Sequence, residues 1–300
     1  MNNNSPNLLS RRRFLKGSVA GAALLGTYAI GIEPRWVSVE HHSLPITGLG
    51  DELVGKTLVQ ISDTHVGHRV GQSYLRQHFE YIDSLAPDFV LFTGDFLDDA
   101  TNWHVEQGEK LLRHFPRGNI GTACVLGNHD YGELEFSTPE NRQSSARLTN
   151  LFADHGLNLL RDEVVDFPGL RVVGLRDYWY GDFDRAAAAE VISAVVDRPG
   201  IVLSHNPDTV DLPIWNGYQN WVLCGHTHGG QCRFPLLGAP MTPVDNKNYV
   251  SGKYDIPGGH KMFINRGLGH TARVRFMAQP EITVFTLTKG LDAMKLRCTG

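Results

Sequence analysis

Two histidines one residue apart, flanked by glycines in Cys224-Gly225-His226-Thr227-His228-Gly229-Gly230-Gln231, follow the apolar run Trp221-Val222-Leu223. An apolar run that ends in Gly-His-x-His reads as a buried strand stopping in a tight loop. Successive side chains of an extended loop alternate sides, but flanking glycines let the backbone bend until both imidazoles face one cavity. Neutral imidazole is the commonest protein ligand of transition metals. The same arrangement recurs upstream. Residues 57–62 run into Asp63-Thr64-His65, residues 88–93 into Gly94-Asp95, residues 121–126 into Gly127-Asn128-His129-Asp130, and residues 201–203 into Ser204-His205-Asn206-Pro207. Buried carboxylates are costly unless paired or bound to metal. A cluster of Asp, Asn and His at strand ends therefore calls for a cation, with Asp63, His65, Asp95, Asn128, His205, His226 and His228 as candidate ligands.

This mixed oxygen and nitrogen set, with one carboxylate available to bridge, suits two adjacent divalent ions and excludes a four-ligand structural zinc site. Two metals roughly 3.5–4 Å apart are a device for phosphoester cleavage, clamping phosphoryl oxygens and generating hydroxide near neutral pH. His129, beside Asn128 but not needed as a ligand, is free to act on the leaving group, with Asp130 to orient it.

The elements that must position these groups are visible as periodicities. Leu75, Phe79, Ile82 and Leu85 space an amphipathic helix over residues 73–86, between the strands at 57–62 and 88–93. That is a βαβ unit, whose ligands gather beyond the carboxyl ends of its strands. Further helices are expected at 102–115, 141–155 and 184–196. Further strands are expected at 157–165 and 170–175 about the Pro168-Gly169 turn, and at 261–265 and 281–287. Residues 33–55 read as a lead-in strand and loop, with His41 and His42 on the surface. The aromatic segment 176–183 either lines a substrate groove or packs on the body.

At the N-terminus, Ser10-Arg11-Arg12-Arg13-Phe14-Leu15-Lys16 precedes an uncharged stretch rich in Gly and Ala that runs to Ile32. This is the pattern of an export signal, and its paired arginines match the twin-arginine type. The stretch is shorter and richer in glycine than the roughly 20 apolar residues of a spanning helix. It has no convincing cleavage site, so retention as an anchor stays open. A net charge of −4 argues against a nucleic-acid-binding surface. Cys124, Cys224, Cys232 and Cys298 form no CxxC pair and read as small structural residues, although a bridge between Cys224 and Cys232 is conceivable.

Taken together, Asp63-x-His65, Gly94-Asp95, Gly127-Asn128-His129-Asp130, His205 and Gly225-His226-Thr227-His228 resemble the motif set of the calcineurin-like metallophosphoesterases. The resemblance covers roughly residues 53–287 and takes in Asn265-Arg266-Gly267-Leu268-Gly269 and Pro280-Glu281-Ile282. With the N-terminal signal, the chain is similar to the exported bacterial branch, which includes phosphodiesterases and the UDP-2,3-diacylglucosamine pyrophosphatase group. The resemblance implies an α/β fold, a four-layer α/β/β/α sandwich. It implies that Asp63, His65 and His228 hold one metal, Asn128, His205 and His226 the other, and Asp95 bridges. His129 would stabilise the transition state or protonate the leaving oxygen. The ions implied are Mn or Zn, with Fe a further candidate.

The expected organisation is a signal or anchor at 1–32, a lead-in at 33–52, the metallophosphoesterase domain at 53–288 and a disordered tail at 289–300. The expected activity is hydrolysis of phosphodiester or pyrophosphate bonds by a metal-bridging hydroxide, in the periplasm or cell envelope, after passage through the twin-arginine export machinery. The substrate would be a phosphorylated small molecule, a nucleotide or a lipid-linked compound. Arg176, Arg233, Lys247 and Arg266 are candidates for holding a phosphate that is not cleaved. A phosphomonoesterase of the same fold is the nearest alternative. A non-catalytic envelope-binding protein is the other.

Overall fold

The computed structural model describes residues 11–132, 138–180 and 183–290. In chain order the regular elements are α1 (Arg11–Thr27), β1 (Ser38–Ile46), β2 (Thr57–Ile61), α2 (Gln72–Ser84), β3 (Phe89–Thr93), α3 (Asn102–Leu112), β4 (Gly121–Val125), α4 (Pro139–Asp154), β5 (Asn158–Leu159), β6 (Glu163–Phe167), β7 (Leu170–Gly174), α5 (Arg185–Ser193), β8 (Gly200–Leu203), β9 (Trp221–Cys224), β10 (Gly252–Asp255), β11 (Lys261–Ile264) and β12 (Glu281–Lys289).

The strands form two six-stranded sheets, ordered β1-β12-β2-β3-β4-β5 and β10-β11-β9-β8-β7-β6. The strands that lead into candidate ligands run parallel to one another within their sheets: β2, β3 and β4 in the first, β8 and β9 in the second. Their side chains alternate between two cores, as the pleat demands. Val59, Ile61, Val90 and Phe92 face α2, α3 and α4, where Phe79, Leu111 and Phe152 meet them. Leu58, Phe89 and Leu91 face the other sheet and pack with Val172, Ile201, Leu203 and Leu223. Beyond the second sheet, Val202, Val222 and Ile264 pack on Ala188 and Ile192 of α5. The result is the expected α/β/β/α layering. Because both faces of each central strand are covered, these strands read as continuous apolar runs.

Three departures from the sequence expectation have physical reasons. Residues 33–52 are not a mere lead-in, because β1 pairs in parallel with β12 along its whole length and forms one edge of the first sheet. Pro45 sits comfortably there, since an edge strand leaves one side of its backbone unpaired. The single strand expected at 157–165 is two, β5 and β6, in different sheets; the chain turns at Asp162, whose φ is 57°. The N-terminal stretch is not too short: α1 continues through a π-helical turn (Tyr28–Ile32) and a 3-10 turn (Glu33–Arg35) into one rod, Arg11–Arg35. That rod is long and apolar enough to cross a membrane by length and composition, and almost none of it is buried against the body. Cys124, Cys224 and Cys232 are free thiols. Lys289 closes β12; residues 291–300 of the expected tail, and Cys298 with them, lie outside the described residues.

Candidate metal centre

Two groups of buried ligand atoms lie side by side at the carboxyl ends of the strands. Asp63, His65 and His228 form one; Asp95, His205 and His226 form the other. In the first, His65 Nε2 lies 3.0 Å from His228 Nε2, and His228 Nε2 lies 3.4 Å from Asp63 Oδ1. In the second, His226 Nδ1 lies 3.1 Å from His205 Nε2, and His205 Nε2 lies 3.2 Å from Asp95 Oδ2. The same Asp95 oxygen is 3.6 Å from His65 Nε2, which puts Asp95 between the groups. Asn128 is buried and its Oδ1 has no hydrogen-bond partner.

Two of the rings are aimed by a bond on the far nitrogen, whereas His65 Nδ1 is buried without a hydrogen-bond partner. His205 Nδ1 donates to the Thr93 carbonyl (2.7 Å) and His226 Nε2 to the Pro243 carbonyl (2.6 Å), which turns His205 Nε2 and His226 Nδ1 inward; Nδ1 of neutral His226 is a lone pair, and His205 Nε2 becomes one when its second proton leaves. The His226 backbone N–H grips both Asp63 oxygens at 3.0 and 3.1 Å, and His129 N–H holds Asp95 Oδ1 at 2.9 Å. Behind His228 stands Arg275, fully buried, its guanidinium donating to the carbonyls of Arg266, Gly269 and Ala278.

The backbone is bent to converge these groups. Asp63, His65, Asp95, His226 and His228 all hold left-handed φ, between 45° and 72°. Non-glycine residues rarely adopt that region, and strain of this kind gathers at functional sites. Glycines supply the room. A Cβ at Gly225 would stand 1.9 Å from Ser62 Oγ, one at Gly127 would stand 2.3 Å from Asp95 Oδ1, and one at Gly267 would stand 2.6 Å from Asp63 Cβ. The stretch Asn265-Arg266-Gly267-Leu268-Gly269 thus braces Asp63 from behind.

The electrostatics match a ligand set. Burial, reinforced by neighbouring cationic groups, drives His65 and His228 well below the usual histidine range and His226 to about 3, so these imidazoles are neutral donors. Burial opposes a charge on His205 too, but the charge of Asp95 and its bond to that carboxylate outweigh it and raise His205 to about 10. Of the two carboxylates, burial pushes Asp63 up to about 6, whereas His205 and His129 hold Asp95 well below the carboxylate range despite its burial. In this state a proton on His205 offsets the acidic charge that a cation would otherwise balance. Imidazole nitrogens converging to about 3 Å, an orphaned amide oxygen and a borrowed proton fit divalent metal ions.

Not every expected role is met by the expected residue. Asp130 does not touch the His129 ring: its carboxylate accepts the backbone N–H groups of Phe96, Leu97 and Gly127, fixing the loops around Asp95 and Asn128. The group that orients His129 is the Asp98 carbonyl, 2.8 Å from Nδ1. Asp98 also places a carboxylate oxygen 3.8 Å from His65 Nδ1; only its spacing after Asp95 hinted at it. Among the cations singled out for an uncleaved phosphate, Arg176 pairs with Asp162 (3.2 Å), Arg266 with Glu281 (3.0 Å), and Arg233 bonds Ser251. Lys247 alone of these lines the cavity over the metal centre, with its ammonium donating to the carbonyls of Thr242 and Val244.

That cavity, about 580 Å³, has Asp95, Asn128, His129, His226 and His228 at its floor and Pro240, Met241, Pro243 and Val274 on its walls. Trp179 forms part of its rim, its ring edge-on to His226 at 4.4 Å between centroids. The aromatic segment therefore does line a groove, held by Asp177, which accepts the N–H groups of Trp179 and Tyr180. Residues 181 and 182 lie outside the described residues.

Comparison with known proteins gives a consistent result. A family profile described as calcineurin-like phosphoesterase matches residues 56–230, which span all seven candidate ligands. The metallophosphoesterase YkuE of Bacillus subtilis is 32% identical, over 93% of this chain and 98% of its own length. The UDP-2,3-diacylglucosamine pyrophosphatase LpxG of Chlamydia trachomatis is 29% identical, over 88% and 93% respectively. The phosphodiesterase YaeI of Escherichia coli is 28% identical, over 93% and 100%.

Proposed function

The chain belongs to the calcineurin-like phosphoesterase family and is a metal-dependent phosphoesterase; from that premise we propose that it cleaves phosphodiester or pyrophosphate bonds of an envelope substrate, lipid-linked or nucleotide-bearing, using two divalent ions. The observation that carries this reading is the pair of buried ligand groups with Asp95 between them, opening into a cavity that is apolar on one side. Asp63, His65 and His228 would hold one ion, Asn128, His205 and His226 the other, with Asp95 shared; Mn²⁺ or Zn²⁺ suits these donors. Such ions supply Lewis acidity toward phosphoryl oxygens and lower the pKa of water.

The chain's own groups do the rest. The Asp98 carbonyl accepts a hydrogen bond from Nδ1–H of His129, which leaves Nε2 for a leaving oxygen. Burial disfavours a charge on His129, but Asp95 and the Asp98 carbonyl outweigh burial and raise its pKa, so the ring can carry the proton an alkoxide or phosphate leaving group needs. Lys247, two of whose ammonium donors are held by the Thr242 and Val244 carbonyls, has its third to offer a second phosphate, and the apolar wall would take an acyl or aromatic portion. The diester and pyrophosphate relatives support the same reading. The paired arginines support export by the twin-arginine route, and the Arg11–Arg35 rod supports its retention as an anchor.

The test is hydrolysis of an aromatic phosphodiester beside its monoester by the full chain in detergent, with and without Mn²⁺, against Asn128→Ala. Metal-dependent diester turnover that collapses in the variant is expected. No turnover of either ester in protein shown to carry two ions per chain would overturn the reading.

A further inference from the structure

The apolar side chains that face water on the body of the protein are not evenly scattered. Phe234, Leu236, Leu237, Met241 and Met277 are all exposed, Leu236 completely and Leu237 by 79%. Single exposed apolar residues need no explanation, whereas a contiguous patch marks an interface. Backbone contacts tie this one together. Phe234 and Gly238 exchange two hydrogen bonds, 2.8 and 2.9 Å, which raises Pro235-Leu236-Leu237 as a tight knob. Cys232 bridges in parallel to Phe276, whose ring lies 5.7 Å from that of Phe234, so the knob stands beside Met277. Leu236 (φ 71°) and Met277 (φ 55°) both hold left-handed backbone. The fold thus keeps two bulky apolar residues in strained positions and in water, an arrangement that persists only where the surroundings impose it.

What covers the patch is indicated by its neighbour. The Phe276 ring also meets Tyr28 edge-on at 6.5 Å, Arg275 N–H donates to the Ala29 carbonyl at 2.9 Å, and Ala278 N–H donates to Glu33 at 2.6 Å. The foot of the Arg11–Arg35 rod therefore stands on the segment that carries the knob. The uncharged stretch from Gly17 to Ile32 rises about 24 Å at about 1.5 Å per residue. Phe14, Leu15 and a snorkelling Lys16 extend it toward the roughly 30 Å of a hydrocarbon core. Exposed Ile30 and Ile32 then mark the outer boundary of that core. Arg35 and Trp36 follow directly in the chain, residue types that gather at a membrane–water boundary.

We propose that the knob at residues 234–241, with Met277, dips into the outer leaflet of the bilayer that α1 spans, so that the metal cavity opens along the lipid–water boundary. The inference rests on retention of α1 as an anchor and deepens the proposed lipid-linked substrate. Pro240 and Met241 belong both to the patch and to the cavity wall, so one apolar surface runs from the lipid to the metal centre. A substrate whose phosphate lies at headgroup level reaches His226 and His228 along that surface without leaving the membrane.

The experiment places single additional tryptophans in the full chain, Leu24→Trp in α1 and Leu237→Trp in the knob. Each is reconstituted into phosphatidylcholine vesicles with or without bromine on the acyl chains, with the parent chain measured alongside. Quenching of both added signals by acyl-chain bromine, and shielding of both from aqueous acrylamide, is expected. Leu24→Trp quenched with Leu237→Trp open to acrylamide overturns the knob and leaves the anchor standing; neither quenched overturns both. Shielding of Leu237→Trp without bromine quenching, with a dimer trapped by cross-linking, assigns the patch to a second copy and overturns the proposal. The double variant L236D/L237D gives an independent readout. It should turn over a soluble diester like the parent, yet lose at least about tenfold on the same diester carried by a long-chain lipid in vesicles, since two leucine side chains no longer bury. An unchanged rate on the lipid-borne diester would also overturn the proposal.

Discussion

Gly225→Ala asks whether close packing of backbone on ligand holds the metal centre in place. Gly225 does not sit in the left-handed region, so an alanine there carries no backbone strain and its effect is steric alone. The new methyl would stand 1.9 Å from Ser62 Oγ and 2.4 Å from Asp63 Oδ2, where ordinary contact begins at 3.4 Å. The Asp63 carboxylate must therefore retreat by about 1 Å, a displacement large enough to cost about 10²-fold in rate. Its path is blocked: the His226 N–H holds both oxygens, and Gly267 presses on its Cβ side. The rest of the strain falls on the fold, about 1–3 kcal/mol for an overpacked site. The assay is elemental analysis of metal per chain, kcat/KM on an aromatic phosphodiester and the urea midpoint, beside Gly71→Ala. At Gly71 a methyl meets nothing within 4 Å, so metal content and rate should stay at the parent's values. Full metal loading with activity within about threefold of the parent in Gly225→Ala would refute the reasoning, since a 1 Å shift of a ligand cannot be that cheap.

His129→Ala should lower kcat on a diester by about 10²–10⁴-fold with metal content unchanged; loss of metal instead would make His129 a ligand. In metal-free protein the His205 proton stabilises the fold. Its folded pKa of about 10 lies above the unfolded value of about 6.5, so that contribution is complete below pH ~6.5 and fades as pH rises through 10. A metal ion must displace this proton, so its apparent affinity should rise about tenfold per pH unit across that window; calorimetric titrations flat with pH would refute the assignment. Phe152 lies fully buried with the rings of Phe96 and Phe115 at 5.4 and 6.2 Å. Phe152→Ala should cost about 3–5 kcal/mol in urea unfolding while leaving metal loading intact.

The candidate site was legible because its ligands terminate strands that are apolar on both faces, the one strand type that advertises itself without alternation. Strands with a wet face were harder. β1 carries exposed His41 and His42 with a proline, and β10 is Gly-Lys-Tyr-Asp; at a sheet's edge neither needs an apolar pattern to be held. Periodicity also cannot say which sheet a strand joins, so the crossing between β5 and β6 passed as one run. Asp130 was misread because a carboxylate beside a histidine in sequence is not thereby beside it in space: on this 3-10 turn it points back to the Phe96 and Leu97 amides. Asp98 and Arg275 left almost no trace, since their roles come from the loops that fold over the strand ends.

The hydrogen bond from Arg275 N–H to the Ala29 carbonyl bears on where a water-soluble fragment of this protein can begin. A chain starting at Tyr28 keeps that acceptor and the ring against Phe276, along with the Glu33 carboxylate that receives Ala278. A chain starting at Glu33 strips the acceptor away, and a buried amide left without one costs about 1–3 kcal/mol. The loss falls on the residue whose guanidinium stands behind His228. Proteolytic processing at the same place in the cell would have the same effect, so trimming the N-terminus and supporting the catalytic floor draw on one short stretch of chain.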